Sequence, residues 1–430
     1  MGRSSHSNVT IARALVGACA GAVLLGLDAC STYAEDTGHG DGGDGPGADG
    51  SVDGATVDGA ATDGGAGGTY HDMTDRSFWE CFPLGTINFN TPSHGVFSDG
   101  RFVYYGSTSS TWLRFDRSKG FGETSAWTKL DATTIGAGAS GTGSLAFDGR
   151  YGFYALASQP RLARFDTVAS ADKTFGDVSQ WKLLPIPDGG PPVVHGTIAV
   201  GQGTGELLYA SPIEVADASS IAARFTPEGL QWETMDVAKI SGGDPREWGA
   251  PVTSGGYVYW LSGDRMLRFD TTKTFTAPDA WEIFMTTSIP GGANGPPQPL
   301  VGFSTTTFDG RYVYFAPRAY ATVLRYDTMA PFSSTSSWSW FKVTKFGSAF
   351  QAATFDGRFV YFVPGTGTTT VVRYDSLADF TNDASWSTFD LTTVAASGIN
   401  GFGGAGFDGR WVYLVPNNAY TTCRFDARTP

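Results

Sequence analysis

Apolar and polar positions beyond residue 76 fall into short runs bounded by turn residues, with little of the 3.6-residue rhythm of helices. The clearest run is Phe355-Asp356-Gly357-Arg358-Phe359-Val360-Tyr361-Phe362-Val363-Pro364. It recurs from Phe308 to Pro317 and from Phe407 to Pro416. Each copy predicts the end of one strand, an Asp-Gly tip and a second strand. A type I′ hairpin turn suits Asp-Gly, because both tip residues then take positive φ. The second strand is aromatic and β-branched on both faces, so it is expected to be buried on both.

Two further signatures cycle with this hairpin in a fixed order. One is a Trp-centred strand, at Trp79, Trp127, Trp181, Trp232, Trp281, Trp338 and Trp386. The other is an Arg-aromatic-Asp strand end, as in Arg325-Tyr326-Asp327 and Arg373-Tyr374-Asp375, with Arg224-Phe225-Thr226 the deviant copy. The hairpin is degenerate at Thr204-Gly205 and Ser254-Gly255, where Tyr209 and Tyr259 still align. Seven units of four strands, repeating every ~50 residues, predict an all-β seven-bladed β-propeller over residues 76–430. The strand before Asp-Gly is expected innermost and the Trp strand outermost. An aromatic-Asp pair on the third strand followed by a Trp on the fourth resembles the kelch type of propeller. The kelch glycine doublet is absent, and Val363-Pro364 or Ala316-Pro317 stands in its place.

The repeat opens on a Trp strand, Phe78 to Phe82, with no inner strands before it. It ends on a third strand, Thr422 to Asp426, with no Trp strand after it. The N-terminal strand is therefore expected to complete the last blade and leave no free in-plane edge. Cys81 and Cys423 lie on the two strands that closure makes neighbours. An exported chain favours a disulfide between them over two buried thiols.

The N-terminus carries that export reading. Arg3 and Arg13 precede an apolar stretch from Leu15 to Leu27, too short to span a bilayer. Leu27-Asp28-Ala29-Cys30 resembles the end of a bacterial lipoprotein signal, with Asp28 departing from the pattern. The resemblance implies cleavage after residue 29, lipidation of Cys30, and anchoring in the cell envelope. Residues 30–75 hold ten acidic side chains, no Lys or Arg, and recurrent Asp-Gly steps. With little to bury they predict a disordered tether, with a root-mean-square span of about 35 Å. The Asp-Gly steps lack the closing Glu of a calcium loop. The chain's formal net charge is −13, so most of its acidity belongs to this tether. The acidic balance disfavours nucleic acid as a partner.

Features present in every blade read as scaffold, so function is expected where the repeat breaks. The loops entering the innermost strands, and those between second and third strands, share one face of the disc, here termed the loop face. Its irregular polar and aromatic residues are the candidate ligand-binding set: His94, His195, Arg246, Glu247, Trp248, Arg318, Tyr320, Gln351, Asn417, Asn418 and Tyr420. Arg246-Glu247-Trp248 suits a sugar ring or a protein hot spot if its Trp is exposed, or packs as scaffold if not. His94 and His195 provide two imidazoles but no evident third metal ligand, so no metal and no cofactor are expected. Glu214, Asp217, Asp244 and Glu247 are the carboxylates available to a hydrolase, with no pairing visible in the sequence. The leading expectation is a non-enzymatic, envelope-anchored binding propeller with a glycan or protein at its loop face. A polysaccharide-acting hydrolase or lyase and a structural scaffold are the alternatives.

Overall fold

The computed structural model describes residues 68–93, 95–136, 138–156, 161–168, 174–185, 198–200, 207–215, 219–226, 231–240, 248–254, 256–290, 300, 302–318, 321–343, 349–395, 398–417 and 420–429. The expected signal peptide and most of the tether lie outside these residues. Seven four-stranded antiparallel sheets are arranged as the blades of a β-propeller. Blade 1 runs from Val96–Ser98, innermost, through Phe102–Tyr105 and Thr111–Asp116 to Trp127–Asp131 at the rim. The rim strands of blades 2 to 6 are Trp181–Pro185, Gln231–Asp236, Trp281–Met285, Trp338–Lys342 and Trp386–Asp390. The innermost strands pack neighbour to neighbour around the full circle, blade 7 meeting blade 1. Helical structure among the described residues is confined to single 3-10 turns, none able to cross a membrane.

Blade 7 closes the ring as expected. Phe402–Phe407, Trp411–Pro416 and Thr421–Asp426 are completed by the N-terminal strand Trp79–Pro83. Cys81 stands opposite Cys423 with Cα atoms 4.0 Å apart, and the two form a disulfide across 342 positions of sequence. The folded part begins earlier than residue 76. Tyr70 bridges Arg428, the Thr69 N–H donates to Thr429 Oγ1 at 2.9 Å, and Met73 is fully buried. Met73 supplies the apolar burial that an Asp- and Gly-rich reading of residues 69–75 overlooks.

The hairpin tip sits one residue later than the type I′ expectation. In blade 1 Ser98 pairs with Val103 and the Asp99 N–H donates to the Phe102 carbonyl, so Gly100 and Arg101 form the tip. Only the glycine takes positive φ, 90° at Gly100 and 99° at Gly357, which is the type II′ pattern. The Asp is a cap. Asp356 Oδ1 accepts from the Arg358 and Phe359 N–H groups at 2.9 and 2.6 Å, and Oδ2 accepts from Tyr361 Oη at 2.7 Å. Burial pushes the Asp356 carboxyl up, and those hydrogen bonds oppose the shift. The tip arginine pairs within its own blade, Arg311 with Asp327 at 2.7 Å and Arg410 with Asp426 at 2.6 Å.

Between blades a second device recurs. Six residues before the rim Trp stands Phe121, Phe175, Phe275, Phe332 or Phe380, with Met73 in blade 7. The indole N–H folds back onto the carbonyl of that residue, Trp127 on Phe121 at 3.1 Å and Trp281 on Phe275 at 2.8 Å. Trp338 keeps its Phe, but its indole N–H has no acceptor. The phenyl ring wedges against the second-strand Tyr of the preceding blade, as Phe380 does against Tyr314 with centroids 6.2 Å apart. Burying each wedge stabilises by about 1.5–3 kcal/mol. The third-strand arginine of the preceding blade also lies over this wedge. Arg325 is held between its own Tyr312 and the next blade's Phe380, 4.1 Å from each ring. A desolvated cation–π contact adds about 0.5–2 kcal/mol.

Candidate functional site

Many of the loop-face candidates fall outside the described residues: His94, His195, Arg246, Glu247, Tyr320 and Asn418. Trp248 is described and is only 3% exposed. It packs with Tyr209, Val258, Trp260 and Trp281, so its face is core and no sugar platform. The reason is positional: the chain enters the inner strand Val252–Ser254 just after it, and Gly249 N–H donates to the Leu261 carbonyl at 2.7 Å. Gln351 is 8% exposed and occupies a bulge between Phe350 and Ala352.

The structure does bring some of the remaining candidates toward one seam, that of blades 6 and 7. Asn417 Nδ2 donates to Thr366 Oγ1 at 3.4 Å, and Asn400 Oδ1 accepts from the Gly367 N–H at 3.1 Å. The loops touch backbone to backbone: a Cβ on Gly401 would stand 2.2 Å from the Gly365 carbonyl oxygen, and one on Gly365 would meet Gln351. Tyr420 takes φ of 51°, and its carbonyl accepts from the Leu84 N–H at 2.8 Å. Arg318 is half-buried, its N–H on the Gly302 carbonyl at 2.8 Å. This corner is a polar, close-packed rim. Among the described residues no group of three His, Cys, Asp or Glu side chains is placed to hold a metal ion.

On the rim an open groove of about 550 Å³ lies between blades 5 and 6. Trp338, Trp340, Lys342, Thr381 and Asp383 line it, and Trp340 is half-exposed.

A departure from the repeat lies at the seam of blades 2 and 3, on the face of the Asp-Gly turns. Only four residues, 227–230, join the third and rim strands of blade 3, where ten, 117–126, join those of blade 1. They contain no aromatic side chain and lie outside the described residues. Arg164 of blade 2 stacks on Tyr151 at 4.2 Å, and among the described residues no ring of blade 3 covers its other side. At five other seams a ring of the next blade does so, over Arg114, Arg224, Arg268, Arg325 and Arg424. At the sixth, Arg373 donates to the His71 carbonyl at 2.9 Å.

Three polar defects gather at the same seam. Across the strand pair from Arg164 stands Lys182, where Arg268 and Arg424 face Glu282 and Glu80 at 2.5 and 2.8 Å. Phe153 replaces the Tyr that bonds the turn Asp in blades 1, 5 and 6, leaving Asp148 Oδ2 buried without a partner. Burial accordingly raises the Asp148 carboxyl, against the backbone N–H groups of Tyr151 and Arg150. The Trp232 indole N–H is buried and unpaired. Sequence reading recognised Arg224-Phe225-Thr226 as deviant but missed the Phe-x5-Trp spacing, which is visible in the sequence and which Trp232 lacks.

No family model and no curated protein matches the chain. Solved structures do. The β-propeller domain of Cps50 (Swd1) from Myceliophteria thermophila superposes with a TM-score of 0.52 at 11% identity, covering 78% of this chain and 96% of that one. The RRP9 WD40 repeats superpose with a TM-score of 0.54 at 8% identity, covering 84% of this chain and 99% of that one. At such identities the likeness is one of fold alone, a β-propeller.

Proposed function

We propose that this chain is an exported, lipid-anchored, non-enzymatic propeller that holds a protein partner. The observation that carries the reading is the contrast between seams. At six seams a wedge ring or the His71 carbonyl lies on the third-strand arginine, and at the seam of blades 2 and 3 no described ring of blade 3 does. A rigid disc with one irregular sector suits recognition, because binding resides where a stable scaffold varies. The WD40-like fold supports a binding or scaffold role. Export and anchoring rest on the Leu27 to Cys30 sequence, and the Cys81–Cys423 disulfide agrees with an oxidising compartment. The aromatic-Asp then Trp order keeps a kelch-like ancestry in view.

A glycan ligand is the second reading, favoured by Trp340 in the rim groove between blades 5 and 6. The discriminating experiment presents residues 68–430 to protein and glycan arrays in parallel. Saturable binding to protein or peptide features that survives Trp340→Ala supports the first reading. Binding confined to glycans and lost in Trp340→Ala replaces it with the second. For the anchor, Cys30→Ser should abolish fatty-acid labelling and release the chain from the membrane fraction; unchanged fractionation would refute lipidation.

A further inference from the structure

We infer that the rim strand of blade 5 is a docking edge for a second copy of this chain, two discs joining rim to rim through antiparallel pairing of Trp338–Lys342 with its twin. The inference goes beyond the partner-holding reading, since it concerns self-association at the edge of the disc.

The groove between blades 5 and 6 is where the second copy would lie. Trp338, Ser339, Trp340, Phe341 and Lys342 all line it, together with Thr381 and Asp383 of blade 6. Successive residues of a strand face opposite sides of the sheet. A groove that touches five in a row therefore runs along the edge of the strand and not over one face. That edge is the outer one, because Trp338–Lys342 is the last strand of its sheet and Thr322–Asp327 takes its inner side. An outer edge presents backbone N–H and C=O groups that a further strand can pair.

The groove is also its own complement. In an antiparallel pair about a two-fold axis, the central residue stands opposite its twin. Centred on Trp340, the pairing sets indole against indole, an aromatic cross-strand pair. Trp340 is half-exposed and only partly taken up by the core of blades 4 and 5. The same pairing brings Lys342 of each copy to the Trp338 end of the other. Asp383 belongs to that end. It lies three residues before Trp386, which faces Tyr374 as Trp338 faces Tyr326. Lys342 and Asp383 are both exposed, so opposite charges meet twice across the axis.

The other rim strands do not offer this. Lys129 stands at the centre of blade 1's, and Glu233 and Glu282 lie within those of blades 3 and 4. Pro185 and Pro83 end those of blades 2 and 7. Charges and prolines of this kind deter strand addition. Blade 6 centres on Thr388, which gives a twin little to bury.

The test is sedimentation velocity on residues 68–430 between about 1 and about 300 µM, a range suited to a short edge interface. A reversible monomer–dimer equilibrium is expected. Trp340→Lys sets like charges face to face on the axis and should raise the dimer dissociation constant at least about tenfold. Lys342→Glu should weaken the dimer, because it meets Asp383 of the other copy, and adding Asp383→Lys should restore it. The three positions are exposed or half-exposed, so the variants fold, and circular dichroism checks them. A monomer throughout the range, a dimer indifferent to Trp340→Lys, or charge reversal without rescue overturns the pairing. The protein and glycan arrays read a different property, so failure here leaves the partner-holding reading to them.

Discussion

Arg325 reaches across a blade boundary to lie 4.1 Å from the ring of Phe380. Its Nη1 also donates to Tyr374 Oη of the same neighbouring blade at 3.3 Å. The contact joins two sheets that share no backbone ladder, so side chains contribute to their angular register. Phe380→Ala should cost about 3–5 kcal/mol through the cavity it leaves. A double-mutant cycle with Arg325→Ala, read by chemical denaturation, should show coupling of about 0.5–2 kcal/mol. Strict additivity would mean that the ring acts by burial alone.

Phe153 is the natural counter-experiment. Tyr104, Tyr314 and Tyr361 each give a hydroxyl to the turn Asp at 2.7 Å, and Phe153 cannot. Phe153→Tyr should stabilise by about 1–2 kcal/mol at neutral pH, because it supplies a donor to a buried, unpaired oxygen. The sign of the pH dependence follows from the raised carboxyl. The folded state holds the Asp148 proton more tightly than the unfolded one, so in the wild type this group's penalty grows as pH rises from 3.8 through the folded value. The gain from Phe153→Tyr should therefore be larger at pH 7 than at pH 3.5. A gain independent of pH, or a loss, would show that Asp148 is not the group being satisfied.

Asp327 behaves oppositely. The Arg311 guanidinium holds its carboxyl below the usual range, with the Met329 N–H helping and burial opposing. That contribution is present above 3.8 and is lost as pH falls through the lower folded value. Arg311→Ala should lower the melting temperature slightly near neutrality, and the difference should shrink below pH 4. Because Arg311 is exposed, the effect should also weaken in high salt. A difference that persists at pH 2 would reject the ion pair as its source.

The architecture was legible because its causes are local and repeated. Asp-Gly, Trp and Arg-aromatic-Asp recur in step, so seven units and their strand order follow from counting, and the orphan strands at the two ends dictate closure. Turn geometry was less legible. Asp-Gly names both a type I′ tip and an Asp-capped Gly-Arg tip, and only the pairing of Ser98 with Val103 separates them. Trp248 stood open between a surface anchor and a packed scaffold residue, because sequence shows a loop and not the core cluster behind it. The wedge went unread because its Phe sits in a connection six residues from the Trp it serves. The departures at blade 3 follow from that rule, and they are invisible without it.

Ring closure carries the whole account, and proteolysis under non-reducing conditions with mass spectrometry tests it most directly. The closed ring predicts one cross-linked species joining the peptide of Cys81 to that of Cys423. Its reduction, by stapling loss alone, should lower stability by about 3–5 kcal/mol. Free thiols at both positions in the protein purified under oxidising conditions, or a link from either to another cysteine, would contradict a last blade completed by the N-terminal strand.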